Sequence, residues 1–175
     1  MKKVLEIKGF TLVETLVAVL LLTLSISGPL WMAQQSFVAA RISQSQTVAR
    51  FLAQEGVELV RGVRDTNILK SEEWLFGLTE CRTEFGCEIH HINTGTQVVR
   101  VCSEDDGCNP LKFNESEGTY SYLSGSNYTV SSFVREVTIT DITPDKDVEV
   151  FVKVSWNDRG IIRSVTTQEY LFNWL

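Results

Sequence analysis

The chain has 175 residues, of which 43% are hydrophobic and 22% are charged, a composition typical of a folded protein and unlike that of a disordered one. Its net charge is −6 and its sequence pI is about 5.0. We therefore expect no nucleic acid partner, because phosphate contacts require a basic surface. The charge is uneven: residues 1–9 carry +2, so the rest of the chain carries −8.

A short basic segment is followed by a long apolar one. Residues 10–33 contain a single charged residue, Glu14. As an α-helix they would extend about 36 Å, enough to cross a bilayer core of about 30 Å. Lysines precede this segment, so we predict one transmembrane helix with a cytoplasmic N-terminus and an exported C-terminal part. A secretory signal peptide is the alternative, but the apolar run is long, and Ser25–Gly28 is only a poor cleavage site.

The helical pattern continues beyond the apolar run. Gly28 and Pro29 predict a kink or local melting, because proline removes one backbone hydrogen bond and clashes with the preceding turn. Residues 34–65 are predicted to be an amphipathic continuation of the helix. Leu52, Gly56 and Leu59 recur on one face, which we expect to pack against the chain's own domain.

Residues 66–175 change in character, because turn residues become frequent and β-branched residues cluster. Strands are predicted at Val98–Cys102, Thr119–Leu123, Phe133–Thr140, Val148–Trp156 and Ile161–Thr167. Asn157 to Gly160 forms the predicted turn between the last two strands. The sequence therefore predicts an α+β protein, a long N-terminal helix followed by an antiparallel β-sheet domain. The apolar half of the helix would need a bilayer or other copies of the chain to cover it.

Four cysteines, Cys81, Cys87, Cys102 and Cys108, lie in the part predicted to be exported, where disulfides are the default. A turn near Thr94 would place Cys87 opposite Cys102 and Cys81 opposite Cys108. We favour this nested pairing over the local pairs Cys81–Cys87 and Cys102–Cys108, although side-chain alternation argues against that register, since it places Ile89 opposite Arg100.

His90 and His91 lie between the two cysteine pairs and raise the alternative of a zinc site, but the C-x5-C spacing is wider than zinc sites use. The other interpretation is that both histidines are exposed in a hairpin. Acidic loops, such as Glu104 to Gly107, lack the ligand spacing of an EF-hand and are interpreted as solvated. No catalytic arrangement, metal site or cofactor site is predicted.

The N-terminal residues Lys8-Gly9-Phe10-Thr11-Leu12-Val13-Glu14 resemble the cleavage motif of type IV pilins and type II secretion pseudopilins. In that motif a basic leader ends in glycine, phenylalanine follows, and glutamate is the fifth residue after the cut. The resemblance covers residues 1–35. In the β-domain it is limited to a helix followed by an antiparallel sheet.

The resemblance implies that prepilin peptidase removes the leader, residues 1–9, by cutting between Gly9 and Phe10 and then N-methylates Phe10. The mature helix would stay in the inner membrane as a single-pass anchor until it joins other pilins or pseudopilins in a filament, at the cell surface or in the periplasm. The new Phe10 amine would pair with Glu14 of a neighbouring subunit. Helix is often lost in such filaments near the position of Gly28 and Pro29.

Major pilins usually carry a cysteine pair around a C-terminal loop, whereas these four cysteines are central. The sequence is therefore closer to a minor pilin or minor pseudopilin. The residues do not separate a pilus from a secretion or DNA-uptake system. The alternative of another class is an uncleaved, membrane-anchored binding protein or enzyme that retains Met1.

Overall fold

A computed structural model describes residues 9–91 and 97–173. The protein is α+β, as predicted: one long apolar N-terminal helix, α1 (Leu12–Leu69), precedes an antiparallel sheet. By its internal contacts the chain divides into two units, one ending at Ser43 and the other running from Gln44 to Leu175. The basic leader, residues 1–8, lies outside the described residues, as do the turn at residues 92–96 and the last two residues.

The first part of α1 remains helical through Gly28 and Pro29. The predicted local melting is therefore wrong for the single chain, while the loss of helix in a filament remains a prediction. Hydroxyl groups bond to the helix backbone near the proline: Ser25 Oγ donates to Leu22 O at 2.9 Å, and Ser27 Oγ donates to Leu24 O at 3.1 Å. These bonds satisfy the hydroxyl groups within the helix itself, so the serines add no unpaired polar group to the apolar segment.

The second part of α1 ends four residues later than the predicted boundary at residue 65. Ser71 has a φ of 58°, its N–H bonds to Ile68 O at 3.0 Å, and the Glu72 N–H bonds to Asn67 O at 2.9 Å. These two bonds form a Schellman motif, which normally uses glycine at the left-handed position. Because serine occupies that position here, the sequence contains no clear stop signal.

Seven strands form one sheet: β1 (Cys87–His91), β2 (Gln97–Val101), β3 (Pro110–Asn114), β4 (Thr119–Ser121), β5 (Tyr128–Thr143), β6 (Asp147–Asp158) and β7 (Ile161–Phe172). A short 3-10 helix, Thr79–Arg82, precedes β1. All strand pairs are antiparallel, and β5 is the central strand. One edge of β5 pairs with β6 over Phe133–Thr143, so β1 and β3, which pair with Val137 and Val134, share the other edge.

The five predicted strands are all present, and β5 and β7 extend well beyond their predicted ends. β1 and β3 were not predicted, because each is short and lacks a run of β-branched residues. The predicted turn between β6 and β7 is confirmed. Asp158 pairs with Ile161, and Arg159 and Gly160 both have positive φ, the conformation of a two-residue type I′ turn.

The core lies between the second part of α1 and one face of the sheet. The helix buries Leu52, Gly56 and Leu59, as the amphipathic pattern predicts, and also Val57 and Val60. On β6, alternate residues from Val148 to Trp156 are buried. Gly56 allows the closest approach. A Cβ at that position would lie 2.8 Å from Val152 Cγ1. Glycine is therefore required here by packing.

Candidate functional site

The predicted processing segment lies at the start of α1. Gly9 and Phe10 precede the helix, and the Phe10 side chain is 80% exposed. Thr11 is the residue before the first helical position, and its Oγ1 accepts a hydrogen bond from the Glu14 N–H at 3.2 Å. Thr11 is therefore the N-cap of the helix.

This cap gives Glu14 a role that the sequence analysis missed. Thr11 and Glu14 have the spacing of a capping box, and an acidic residue in the first turn interacts favourably with the positive end of the helix dipole. The T-x-x-E pattern was visible in the sequence as a helix-start signal. Glu14 is thus partly stabilised by its own helix, although its side chain is exposed in the single chain.

The apolar segment after Glu14 is not covered by the chain itself. Fourteen large hydrophobic side chains between residues 10 and 33 are exposed, with Leu20 at 58% and Trp31 at 63%. The helix is long and apolar enough to cross a membrane. An exposed apolar surface of this extent requires lipid or other protein to cover it.

Within the described residues, no steric contact requires glycine at the two glycine positions of this segment. A Cβ added at Gly9 or at Gly28 would meet no atom within 4 Å, and neither residue has a positive φ. This differs from Gly56, which the fold itself requires. A constraint on the side chain at Gly9 would therefore have to come from a partner.

The four cysteines form two disulfides, Cys81–Cys87 and Cys102–Cys108, with S–S distances of 1.85 and 1.90 Å. The predicted nested pairing is wrong. Cys87 pairs with Val101 in the β1–β2 register, and Ile89 pairs with Val99. The observed register differs by one residue from the register that the nested pairing requires. It agrees with the alternation of side chains, because Ile89 lies opposite a valine. It places Cys102 beyond the end of β2, where it closes a loop of its own.

A buried arginine joins the helix to the sheet in the same domain. Arg135 on β5 is 1% exposed. Its Nη1 donates to Leu52 O at 3.2 Å and to Glu55 Oε2 at 2.8 Å, and its Nη2 donates to Ile89 O at 2.8 Å. The guanidinium therefore links α1, β1 and β5. These hydrogen bonds and the ion pair offset the cost of removing its charge from water.

Two aromatic rings lie beside this arginine. The Tyr122 hydroxyl donates to Arg135 O at 3.0 Å, and burial raises the pKa of Tyr122 to about 12. His90 lies 5.5 Å from the Tyr122 ring, and burial, followed by the nearby Arg135 charge, lowers the pKa of His90. His90 is half-buried, so the prediction that both histidines are exposed is wrong for this one and holds for His91.

The zinc alternative loses its ligands in this structure, because all four sulfur atoms are used in disulfides. Within residues 9–91 and 97–173, no group of three His, Cys, Asp or Glu side chains is placed to hold a metal ion. Arg135 and Tyr122 instead take part in hydrogen bonds within the β-domain and to α1.

Comparison of the chain with protein-family models, with curated proteins and with solved structures gives no match. The fold and the geometry of the N-terminal segment are the basis on which a function is argued.

Proposed function

We propose that this chain is a structural subunit of the type IV pilin class, a minor pilin or pseudopilin that is processed by prepilin peptidase and assembled into a filament. The observation that carries this proposal is the uncovered apolar surface of residues 10–33, directly preceded by Gly9 and Phe10 and containing only Glu14 as a charged residue.

The two parts of α1 support an assembly role. The second part of the helix packs on the sheet of its own chain, so the first part is left to contact lipid or other proteins. In the precursor that surrounding is the bilayer of the inner membrane, where a lone carboxylate is costly. In a filament the surrounding is the helices of neighbouring subunits, where small and hydroxyl-bearing side chains favour close contact.

Processing would supply a positive charge that can pair with the Glu14 carboxylate. Cleavage between Gly9 and Phe10 creates an amine on Phe10, an exposed residue four positions before Glu14. At low local dielectric an ion pair between this amine and Glu14 of a neighbouring subunit is much stronger than at a surface, although desolvation offsets part of the gain. Thr11 and Thr15 carry hydroxyl groups in the same turn.

The test is the mass of the N-terminal peptide of protein purified from the membrane of a cell that contains prepilin peptidase. We expect a chain that starts at N-methyl-Phe10. A Gly9→Val variant provides the control. Among the described residues no atom lies within 4 Å of a Cβ added at Gly9, so the variant should fold and insert but remain uncut. An intact Met1 on the parent chain would overturn the proposal and support an uncleaved anchor.

A further inference from the structure

A cleft separates the two hairpins that leave the same edge of β5. The β1–β2 hairpin is attached at Val137, and the β3–β4 hairpin is attached from Val134 onward, so only two residues of β5 lie between the attachment points. The cleft between them contains a cavity of about 320 Å³.

This volume is at the lower end of the range of small-molecule sites, about 300–1,000 Å³. Six of the seven residues that line the cavity are polar or charged, and they come from both hairpins and the residues next to them. The polar residues that line the cavity are Glu88 and Arg100 from the first hairpin and Asn109, Lys112, Tyr122 and Ser124 from the second and the residues next to it. A polar cavity of this size suits a small hydroxylated ligand better than an apolar one.

The charges in the wall are unbalanced. Among the described residues, neither Arg100 nor Lys112 has a carboxylate oxygen within 4 Å. Glu88 is the one acidic residue in the wall, so the lining carries a formal charge of +1. This local positive charge lies on a protein that is otherwise strongly acidic.

The carboxylate of Glu88 is already engaged. Glu88 is 4% exposed, and its Oε1 accepts the Asn109 backbone N–H at 2.5 Å and Asn109 Nδ2 at 2.7 Å. These bonds hold Asn109, the residue that precedes β3, against β1 at the wall of the cavity. Lys112 Nζ donates to Ser124 Oγ at 2.5 Å, which holds the ammonium group at the cavity wall.

We propose that this cleft binds a saccharide unit that carries one anionic group, either a carboxylate or a sulfate ester. A monoanion brings the wall to neutrality, whereas a phosphate dianion would leave an excess of negative charge. Arg100 offers the planar fork that matches carboxylate and sulfate oxygens, and Lys112 offers a point charge. Asn109 and Ser124 are hydrogen-bonding partners for ring hydroxyls, and Tyr122 contributes an aromatic wall.

The test is calorimetric titration of the full chain in detergent micelles with glucuronate, glucose 6-sulfate, glucose and inorganic phosphate. We expect at least one of the two anionic sugars to bind about tenfold more tightly than glucose and than phosphate. Binding by glucuronate alone would assign the carboxylate, and binding by glucose 6-sulfate alone would assign the sulfate ester. Equal binding of glucose, equal binding of phosphate, or no binding of either anionic sugar up to about 10 mM would overturn the proposal.

Variants locate the binding. We expect Arg100→Gln and Lys112→Gln each to weaken binding about tenfold, because each removes one charge-assisted contact. Lys146→Gln is the matched control, since Lys146 is an exposed cation in the β5–β6 turn that does not line the cavity. Ser124→Ala releases Lys112 without removing its charge and should give a smaller loss. Unchanged affinity in both charge variants, or an equal loss in Lys146→Gln, would contradict the assignment. Since binding is measured on the purified chain, the result is independent of filament assembly.

Discussion

The two parts of α1 belong to one helix but are covered in different ways. In the first part Leu20 is 58% exposed, and in the second part Leu52 is 5% exposed. The second part is amphipathic and finds its partner in the sheet of the same chain. The first part is apolar around its whole circumference, which predicts burial by lipid or by other proteins. This difference in burial predicts that substitutions in the first part affect assembly, whereas substitutions in the second part affect folding.

The largest effect that tests this difference is expected at Glu14. Glu14→Ala should be inserted and cleaved normally but should enter filaments poorly. Removal of one partner from a buried ion pair costs about 3–5 kcal/mol, which corresponds to at least about a hundredfold weaker incorporation. The measurement is the ratio of assembled to membrane-bound subunit. Glu72→Ala is the control, because Glu72 is an exposed carboxylate beyond the end of α1 and outside the apolar segment. If Glu14→Ala entered filaments as well as the parent, the assembly role of this carboxylate would be wrong.

Substitutions at one glycine in each part of α1 compare the two parts by their effect on the free energy of unfolding. We expect Gly56→Val to destabilise the β-domain by about 2–3 kcal/mol, because the new side chain overlaps Val152 and Arg135. Gly28→Ala should cost no stability, because its Cβ meets no atom within 4 Å. Urea unfolding of both variants, followed by the fluorescence of the buried Trp74 and Trp156, measures the difference. Equal stability of Gly56→Val and the parent would contradict the packing described here.

A moderate effect is expected from the disulfides of the β-domain. Each closes a loop with a sequence separation of six, so the chain-entropy model gives about 2 kcal/mol for each bridge. The double variant Cys81→Ala/Cys87→Ala should lose about this much in urea unfolding. Peptide mapping without reductant should recover Cys81 linked to Cys87, and a peptide pair linking Cys87 to Cys102 would contradict the structure.

The smallest effect expected is a pH dependence of the stability of the β-domain. His90 faces Arg135, Glu88, His91 and Tyr122, and its pKa is lowered by burial and by the Arg135 charge. The unfolded chain therefore binds a proton more readily than the folded one, and stability should fall as the pH drops from about 6.5 through the folded pKa. His90→Gln should reduce this pH dependence, and His91→Gln serves as the exposed control. An identical pH profile for the parent and His90→Gln would rule out this source of acid sensitivity.

The sequence predicted the elements whose signals are periodic and long. The apolar run, the amphipathic face around Leu52 and the alternation of β6 each follow from one dominant period, so they were predicted correctly. The ends of α1 were harder to predict. Its start is set by the Thr11 cap, a local signal that was overlooked, and its end uses Ser71 where glycine is usual.

Features that depend on long-range contact could not be predicted. β1 and β3 are short, and they form because β5 offers an edge to both. Arg135 is an ordinary charged residue in the sequence and becomes buried only because Leu52, Glu55 and Ile89 supply acceptors from distant positions. The cavity between the hairpins has the same origin, since Glu88 and Asn109 meet only in the folded sheet.

The local disulfide pairing has a consequence for how the chain matures. Loop closure becomes more costly with length, so joining Cys87 to Cys102, which are 15 residues apart, costs roughly 0.8 kcal/mol more than closing a six-residue interval. Each cysteine is thus bonded to the partner that it would meet most often in the unfolded chain. A difference of that size is about a fourfold preference, so oxidation before the sheet forms favours the correct bridges and leaves few mispaired cysteines to be reshuffled.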